Sequence, residues 1–230
     1  MTAGDGSRPT LLLVHGAWHG SWCWERLVPE LGADGWATRA VELPSAGNEE
    51  AGIRDDARVV LEELGRIEGP VVVLAHSYGG IPVSQAVAEA FNVSHVVYLA
   101  AYQLDAGESL LGYHGVPVPS QAAGFQAVPG DPPATFYADL PQARAQAAAA
   151  RLVPQSAKSF SEPLTKAGWH TVPSTYVICE RDQALGPQHQ EELAARAGAV
   201  HRIASDHSPF LSHPGELAAL LAKIALGSAA

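Results

Sequence analysis

The chain has 230 residues, with 24 acidic and 14 basic side chains and a formal net charge of −10. Like-charge repulsion therefore argues against nucleic acid and anionic membranes as partners. It is 47% apolar and only 17% charged, a composition that buries a core and excludes a disordered chain. The length fits one large α/β domain. Cys23 and Cys179, the two cysteines, form neither a disulfide framework nor a C-x-x-C metal or redox pair. The polar first nine residues lack the layout of a signal peptide, and no apolar run approaches the roughly 18 residues of a membrane span. The expectation is a soluble cytoplasmic protein with reduced thiols.

Short apolar runs then alternate with helix-spaced patterns, the mark of parallel β-α-β units. Residues 10–14 read as a buried strand, 21–31 as a helix interrupted by Pro29, and 36–41 as a second strand. Residues 53–67 place Ala57, Val60, Leu61, Leu64 and Ile67 at helical spacing. Residues 71–75 are apolar on both faces, as a central strand is. A helix over 79–91 follows, with Pro82 in its first turn, and then a strand over 95–99. From 103 to 173 there are nine prolines and no strand-like run, and 140–152 is the strongest helix. A structureless loop of that length is foreign to a compact domain, so 103–173 reads as an inserted, mainly helical cap. Strands over 174–179 and 199–203, with helices over 188–197 and 215–225, resume the alternation. The predicted architecture is a doubly wound, mostly parallel six-stranded α/β sheet. Residues 1–102 and 174–230 form its core.

The candidate chemistry centres on Ala75-His76-Ser77-Tyr78-Gly79-Gly80, where an apolar strand meets a helix. A small-x-Ser-x-Gly motif in that context makes a nucleophile elbow, although a serine opening a helix is also a common cap. A serine hydroxyl needs a base, and the base needs an orienting acid. In this kind of fold the chain order is Ser, acid, His. Asp182 and His207 follow the last two strands in that order, at the carboxyl ends where open α/β sheets build their sites. Asp206 adjoins His207 and is a poor orienting acid, while Glu180 is a rival to Asp182. The other nine histidines read as loop or surface groups. Glycines Gly16 and Gly20 count against a metal site at His15 and His19. The loop after the first strand offers the Ala17 N–H, and the residue after the serine the Tyr78 N–H, as an oxyanion hole.

Together these segments resemble the α/β-hydrolase superfamily, and within it the plant-type methylesterase and hydroxynitrile lyase group with its bacterial esterase relatives. The resemblance lies in LLVHGAWHGSWCW from Leu12, AHSYGG from Ala75, CERD from Cys179, SDHSPF from Ser205, and the Phe136-Tyr137 stretch. It implies a Ser77–His207–Asp182 triad with Ala17 and Tyr78 as oxyanion donors. The lyases of this group are similar to each other in having threonine after the first-loop histidine and lysine after the catalytic one. This chain has Gly16 and Ser208 there, which favours ester hydrolysis over cyanide release.

The expected reaction is cleavage of a small to medium hydrophobic ester or lactone through an acyl-enzyme, with no metal or organic cofactor. Trp18, Tyr78, Phe125, Phe136, Tyr137 and Phe210 are the expected pocket walls, and Cys23 and Cys179 are structural. The same triad also serves lyases, decarboxylases and biosynthetic thioesterases or cyclases, and the fold serves slow ligand-binding proteins. The expected partner is a small-molecule substrate, and homodimerisation stays open.

Overall fold

The computed structural model describes residues 8–227. Six strands form one sheet in the order β2-β1-β3-β4-β7-β8, all parallel. They are β1 (Thr10–Val14), β2 (Thr38–Val41), β3 (Val71–His76), β4 (Val93–Leu99), β7 (Ser174–Cys179) and β8 (Ala199–Ile203). Every residue of β3 and β7 is buried, as a parallel sheet covered on both faces requires.

The two-residue period of the strands divides the core. Leu12, Val14, Val73, Ala75, Tyr98 and Tyr176 face one layer, and Leu11, Leu13, Val72, Leu74, Val97 and Val177 face the other. The first layer packs against α2 (Ile53–Arg66), α3 (Gly80–Val87) and α8 (Pro187–Ala194). The second packs against α1 (Leu27–Ala33), α9 (Pro209–Ser212) and α10 (Pro214–Gly227). Ala57, Val60 and Leu64 form the buried stripe of α2, as their spacing predicts. Pro29 interrupts nothing. A 3-10 turn over Ser21–Arg26 leads into α1, and Pro29 falls in the first turn, where no N–H is needed. The helix expected over 79–91 ends at Val87, and β4 begins earlier than expected, at Val93.

Between β4 and β7 lie α4 (Leu110–Tyr113), β5 (Phe125–Gln126), α5 (Pro132–Phe136), α6 (Gln142–Ala149), β6 (Gln155–Ser156) and α7 (Ala157–Ser161). β5 and β6 pair antiparallel. The sequence signalled no strand here, because two-residue strands carry no periodicity. The segment has no core of its own. Phe136, Tyr137, Ala145 and Ala148 join one layer of the sheet's core, and Leu110, Phe160 and Leu164 join the other. Among the described residues no helix is long and apolar enough to cross a membrane.

Candidate active site

Ser77 directly follows the central strand β3 and opens a 3-10 turn, with φ +52°. A left-handed backbone at a non-glycine residue costs roughly 1–3 kcal/mol and persists only where the surroundings fix it. Three close approaches do so. A Cβ on Gly79 would lie 2.4 Å from the His15 carbonyl oxygen, one on Gly80 2.5 Å from the Tyr102 oxygen, and one on Gly16 2.8 Å from Ser77 Cβ. The Tyr102 N–H also donates to the Ser77 carbonyl at 3.0 Å.

His207, in the loop after β8, and Asp182, after β7, are both buried. The His207 Nδ1–H donates to Asp182 Oδ2 at 2.6 Å, so in the neutral ring Nε2 is the acceptor nitrogen. Ser77 and His207 line the same cavity. Asp182 is held on its other sides by the N–H groups of Ala184 and Leu185 on Oδ1, at 2.7 and 2.9 Å. Gln190 Nε2 donates to Oδ2 at 3.0 Å. The sequence reading missed Gln190, which sits on α8 one turn beyond its Pro187 start. The rival acids point elsewhere. Glu180 is exposed. Asp206 accepts from the Asp139 and Ser208 N–H groups at 2.9 and 3.1 Å.

Three histidines assigned above to loops or the surface are buried: His15, His19 and His76. His15 Nδ1–H donates to the Gly16 carbonyl at 2.8 Å, and its Nε2 accepts from the Leu43 N–H at 3.0 Å. His76 Nε2–H donates to the His207 carbonyl at 2.9 Å, joining the elbow to the histidine loop. Burial pushes the His76 pKa well down, so its ring stays neutral. Burial likewise lowers His19 to about 3. Its Nδ1–H donates to the Ala17 carbonyl at 2.8 Å, and its Nε2 accepts from Tyr137 OH at 2.8 Å. The bonds to Leu43, His207 and Tyr137 were invisible in the sequence because each joins residues whose proximity only the fold creates.

The cavity measures about 150 Å³, and three of the expected wall residues, Trp18, Tyr78 and Phe136, line it together with Ala17. Tyr102, Leu110, Phe160 and Leu185 add to its apolar surface, with Thr135 and Gln183 as polar members. Three expected wall residues are elsewhere. Phe125 stands in the two-residue β5, 44% exposed, because a strand that short buries neither face. Tyr137 turns its ring onto His19. Phe210 is fully buried behind the site, packed edge-on against Trp24 and His76 with ring centres 4.8 Å away. Cys23 and Cys179 are free and buried, and burial raises both thiol pKa values well above the ordinary range.

Comparison with known proteins agrees with this fold. Residues 11–220 match the alpha/beta hydrolase family. A probable hydrolase of a Phoma species is 28% identical, covering 95% of this chain and 99% of that protein. Methylesterase 17 of Arabidopsis thaliana is 26% identical, covering 95% and 92% respectively. The solved structure of an extracellular alpha/beta-hydrolase from a Paenibacillus species superposes with a TM-score of 0.82. It has 19% identity and covers 94% of this chain and 98% of the other. The chain belongs to the alpha/beta hydrolase family.

Proposed function

We propose that the protein is a serine hydrolase of small, neutral, apolar carboxylic esters or lactones. The observation that carries this reading is the His207–Asp182 hydrogen bond of 2.6 Å beside a cavity shared with a strained Ser77. Ser77 Oγ attacks the ester carbonyl carbon as its proton passes to His207 Nε2. Asp182 keeps the imidazole in the required tautomer and stabilises its charged form. The N–H groups of Ala17 and Tyr78 receive the oxyanion. His207 then gives the proton to the departing alcohol, and water repeats the sequence on the acyl-enzyme.

Among the described residues, His207 is the one ionisable side chain other than tyrosine in the cavity wall, which favours an uncharged substrate. The size of the cavity favours a compact acyl or aryl group, and the named methylesterases among the relatives support a small alcohol as leaving group. Cyanohydrin cleavage is disfavoured. A threonine at Gly16 would drive its Cβ to 2.8 Å from Ser77 Cβ, and Ser208 is a buried, neutral hydroxyl that cannot stabilise cyanide as an ammonium does. Hydrolysis of a panel of p-nitrophenyl, methyl and lactone esters tests the proposal. Wild type should turn over, and Ser77→Ala should lose about three orders of magnitude or more. Equal inertness of the two proteins, or cyanide release from mandelonitrile, sinks it.

A further inference from the structure

Behind the cavity runs a continuous line of buried hydrogen bonds that the triad does not use. Asp56, on α2, is fully buried. Its Oδ2 accepts from Tyr78 OH at 2.6 Å and from Ser45 Oγ at 2.5 Å, and its Oδ1 from the Ser45 N–H at 2.9 Å. Gln155, from β6, donates through Nε2 to Ser45 Oγ at 2.7 Å and to Ser159 Oγ at 2.8 Å. Its Oε1 accepts from the Trp18 N–H at 3.1 Å. Every side chain in the line is buried, and its two ends are not arbitrary. One is the side chain of Tyr78. The other is the amide directly after Ala17.

The Ala17–Trp18 peptide is therefore held at both of its polar atoms, the carbonyl by His19 at 2.8 Å and the N–H by Gln155 at 3.1 Å. It needs holding, because Trp18 has φ +62°, a strained conformation for a bulky residue. The Tyr78 side chain is anchored from the opposite wall. Burial, with Asp56 beside it, raises the Tyr78 hydroxyl well above its ordinary pKa, so it remains a donor. All three of these donors point at the Asp56 carboxylate, which in its ionised form accepts only.

We propose that Asp56, Ser45 and Gln155 are positioning residues for the oxyanion hole, joining the Ala17 and Tyr78 loops through one buried relay. This rests on the ester-hydrolase reading above. A satisfied polar cluster of purely structural value would lower stability when cut. A relay that aligns two donors toward a developing negative charge acts on the transition state, since small misplacements of catalytic groups cost up to about 100-fold in rate.

The test compares wild type with Tyr78→Phe, Gln155→Met and the double variant on p-nitrophenyl acetate. Affinity is also measured for an aryl trifluoromethyl ketone, whose carbonyl carbon takes Ser77 Oγ to give an oxyanion while the serine proton passes to His207. Ser45→Ala, which cuts the relay in the middle, serves if Gln155→Met does not fold. Each single variant should lower kcat about tenfold or more with KM within about threefold, and ketone affinity should fall in parallel. The double variant should be no more than about threefold worse than the worse single, because a relay cut at either end is already cut. Unchanged kcat, a loss confined to KM, or multiplying losses with ketone affinity unmoved overturns the proposal. Wild-type chain labelled by a fluorophosphonate, with the adduct mapped to Ser77, separates the two readings. Without that adduct and without turnover, the ester-hydrolase reading itself falls.

Discussion

The two sides of the site are built in opposite ways. On the acid side, Asp182, its backbone donors Ala184 and Leu185, and Gln190 all lie within nine consecutive residues, on the turn after β7 and the helix that follows. On the side proposed to receive the oxyanion, Trp18 meets Gln155 across 137 positions of sequence, and Tyr78 meets Asp56 across 22. The acid side is assembled by one strand-turn-helix unit. The oxyanion side needs the inserted segment, α2 and two loops to arrive together. Charge placement here is local, and donor placement is global. The following outcomes break or sharpen that contrast.

The largest effect belongs to the local side. Asp182→Asn keeps the shape but leaves His207 Nδ1 facing an amide, so the imidazole loses the partner that fixes its tautomer. A fall in kcat of about 10⁴ is expected. If ester turnover survives within about tenfold, Asp182 is not the orienting acid. Next in size is Gly16→Ala. Its methyl would meet Ser77 Cβ at 2.8 Å and His76 Nδ1 at 3.0 Å, a clash that displaces the serine or the first loop. We expect a loss of about 100-fold in kcat/KM, checked by steady-state kinetics on the folded variant. Gln190→Met follows. It removes one of the donors to Asp182 and leaves the Cys179 N–H, held at 2.9 Å, without its acceptor. A buried donor so stranded costs about 1–3 kcal/mol, so the thermal midpoint should fall by several degrees and kcat by about tenfold. A stable variant with full activity would show that the backbone donors alone suffice for Asp182.

The same contrast explains what could be read before the fold was known. Ser77, Asp182 and His207 were legible because strand ends and turn glycines mark them, and a parallel sheet delivers strand ends to one edge. The same signal placed Ala17 of the first loop at the cavity. Phe125 and Phe210 were misassigned because an aromatic residue in an apolar context looks alike in a wall, in a core or on a surface strand. His19, Gln155 and Asp56 were invisible as partners. Nothing local distinguishes a buried Gln from a solvated one, and Asp56 sits among Arg54, Asp55 and Arg58 on a helix whose spacing shows only its apolar stripe. The inserted segment was legible as an interruption, but its packing into both layers of the sheet's core was not. That packing depends on single side chains such as Phe136 and Phe160.

Asp56 gives a smaller effect whose sign is the informative part. Desolvation raises its pKa from 3.8 to about 6, against the pull of Ser45, Tyr78 and His15. The folded state therefore takes up a proton as pH falls through about 6, while the unfolded chain waits until about 4. Stability contributed by this group is fully present below the unfolded value and is lost as pH rises through the folded one. Relative to Asp56→Asn, which does not titrate, wild type should gain about 1 kcal/mol on going from pH 7 to pH 5, measured by urea unfolding. The activity attributed to the relay should move the other way, because a protonated Asp56 can no longer accept from all three donors. Stability and turnover parting in opposite directions below pH 6 would separate a positioning carboxylate from a merely structural one. A wild-type minus variant difference that is flat with pH counts against the ionised Asp56.

The smallest expected effect, that of Phe125→Ser, is the sharpest check on the wall of the cavity. Phe160 sits edge-on to Trp18, with ring centres 5.5 Å apart, and lines the cavity, whereas Phe125 is exposed on β5. Both come from the inserted segment and both are phenylalanine. Phe125→Ser should leave kcat and KM within about twofold of wild type, as surface substitutions generally leave stability within about 0.5 kcal/mol. Phe160→Ala enlarges the cavity and strips contact from Trp18, so it should raise KM for short esters and improve relative turnover of bulkier acyl groups, at about 3–5 kcal/mol of stability. If Phe125→Ser instead shifts the substrate preference, the substrate reaches beyond the cavity and onto β5, and the acyl group is larger than the cavity implies.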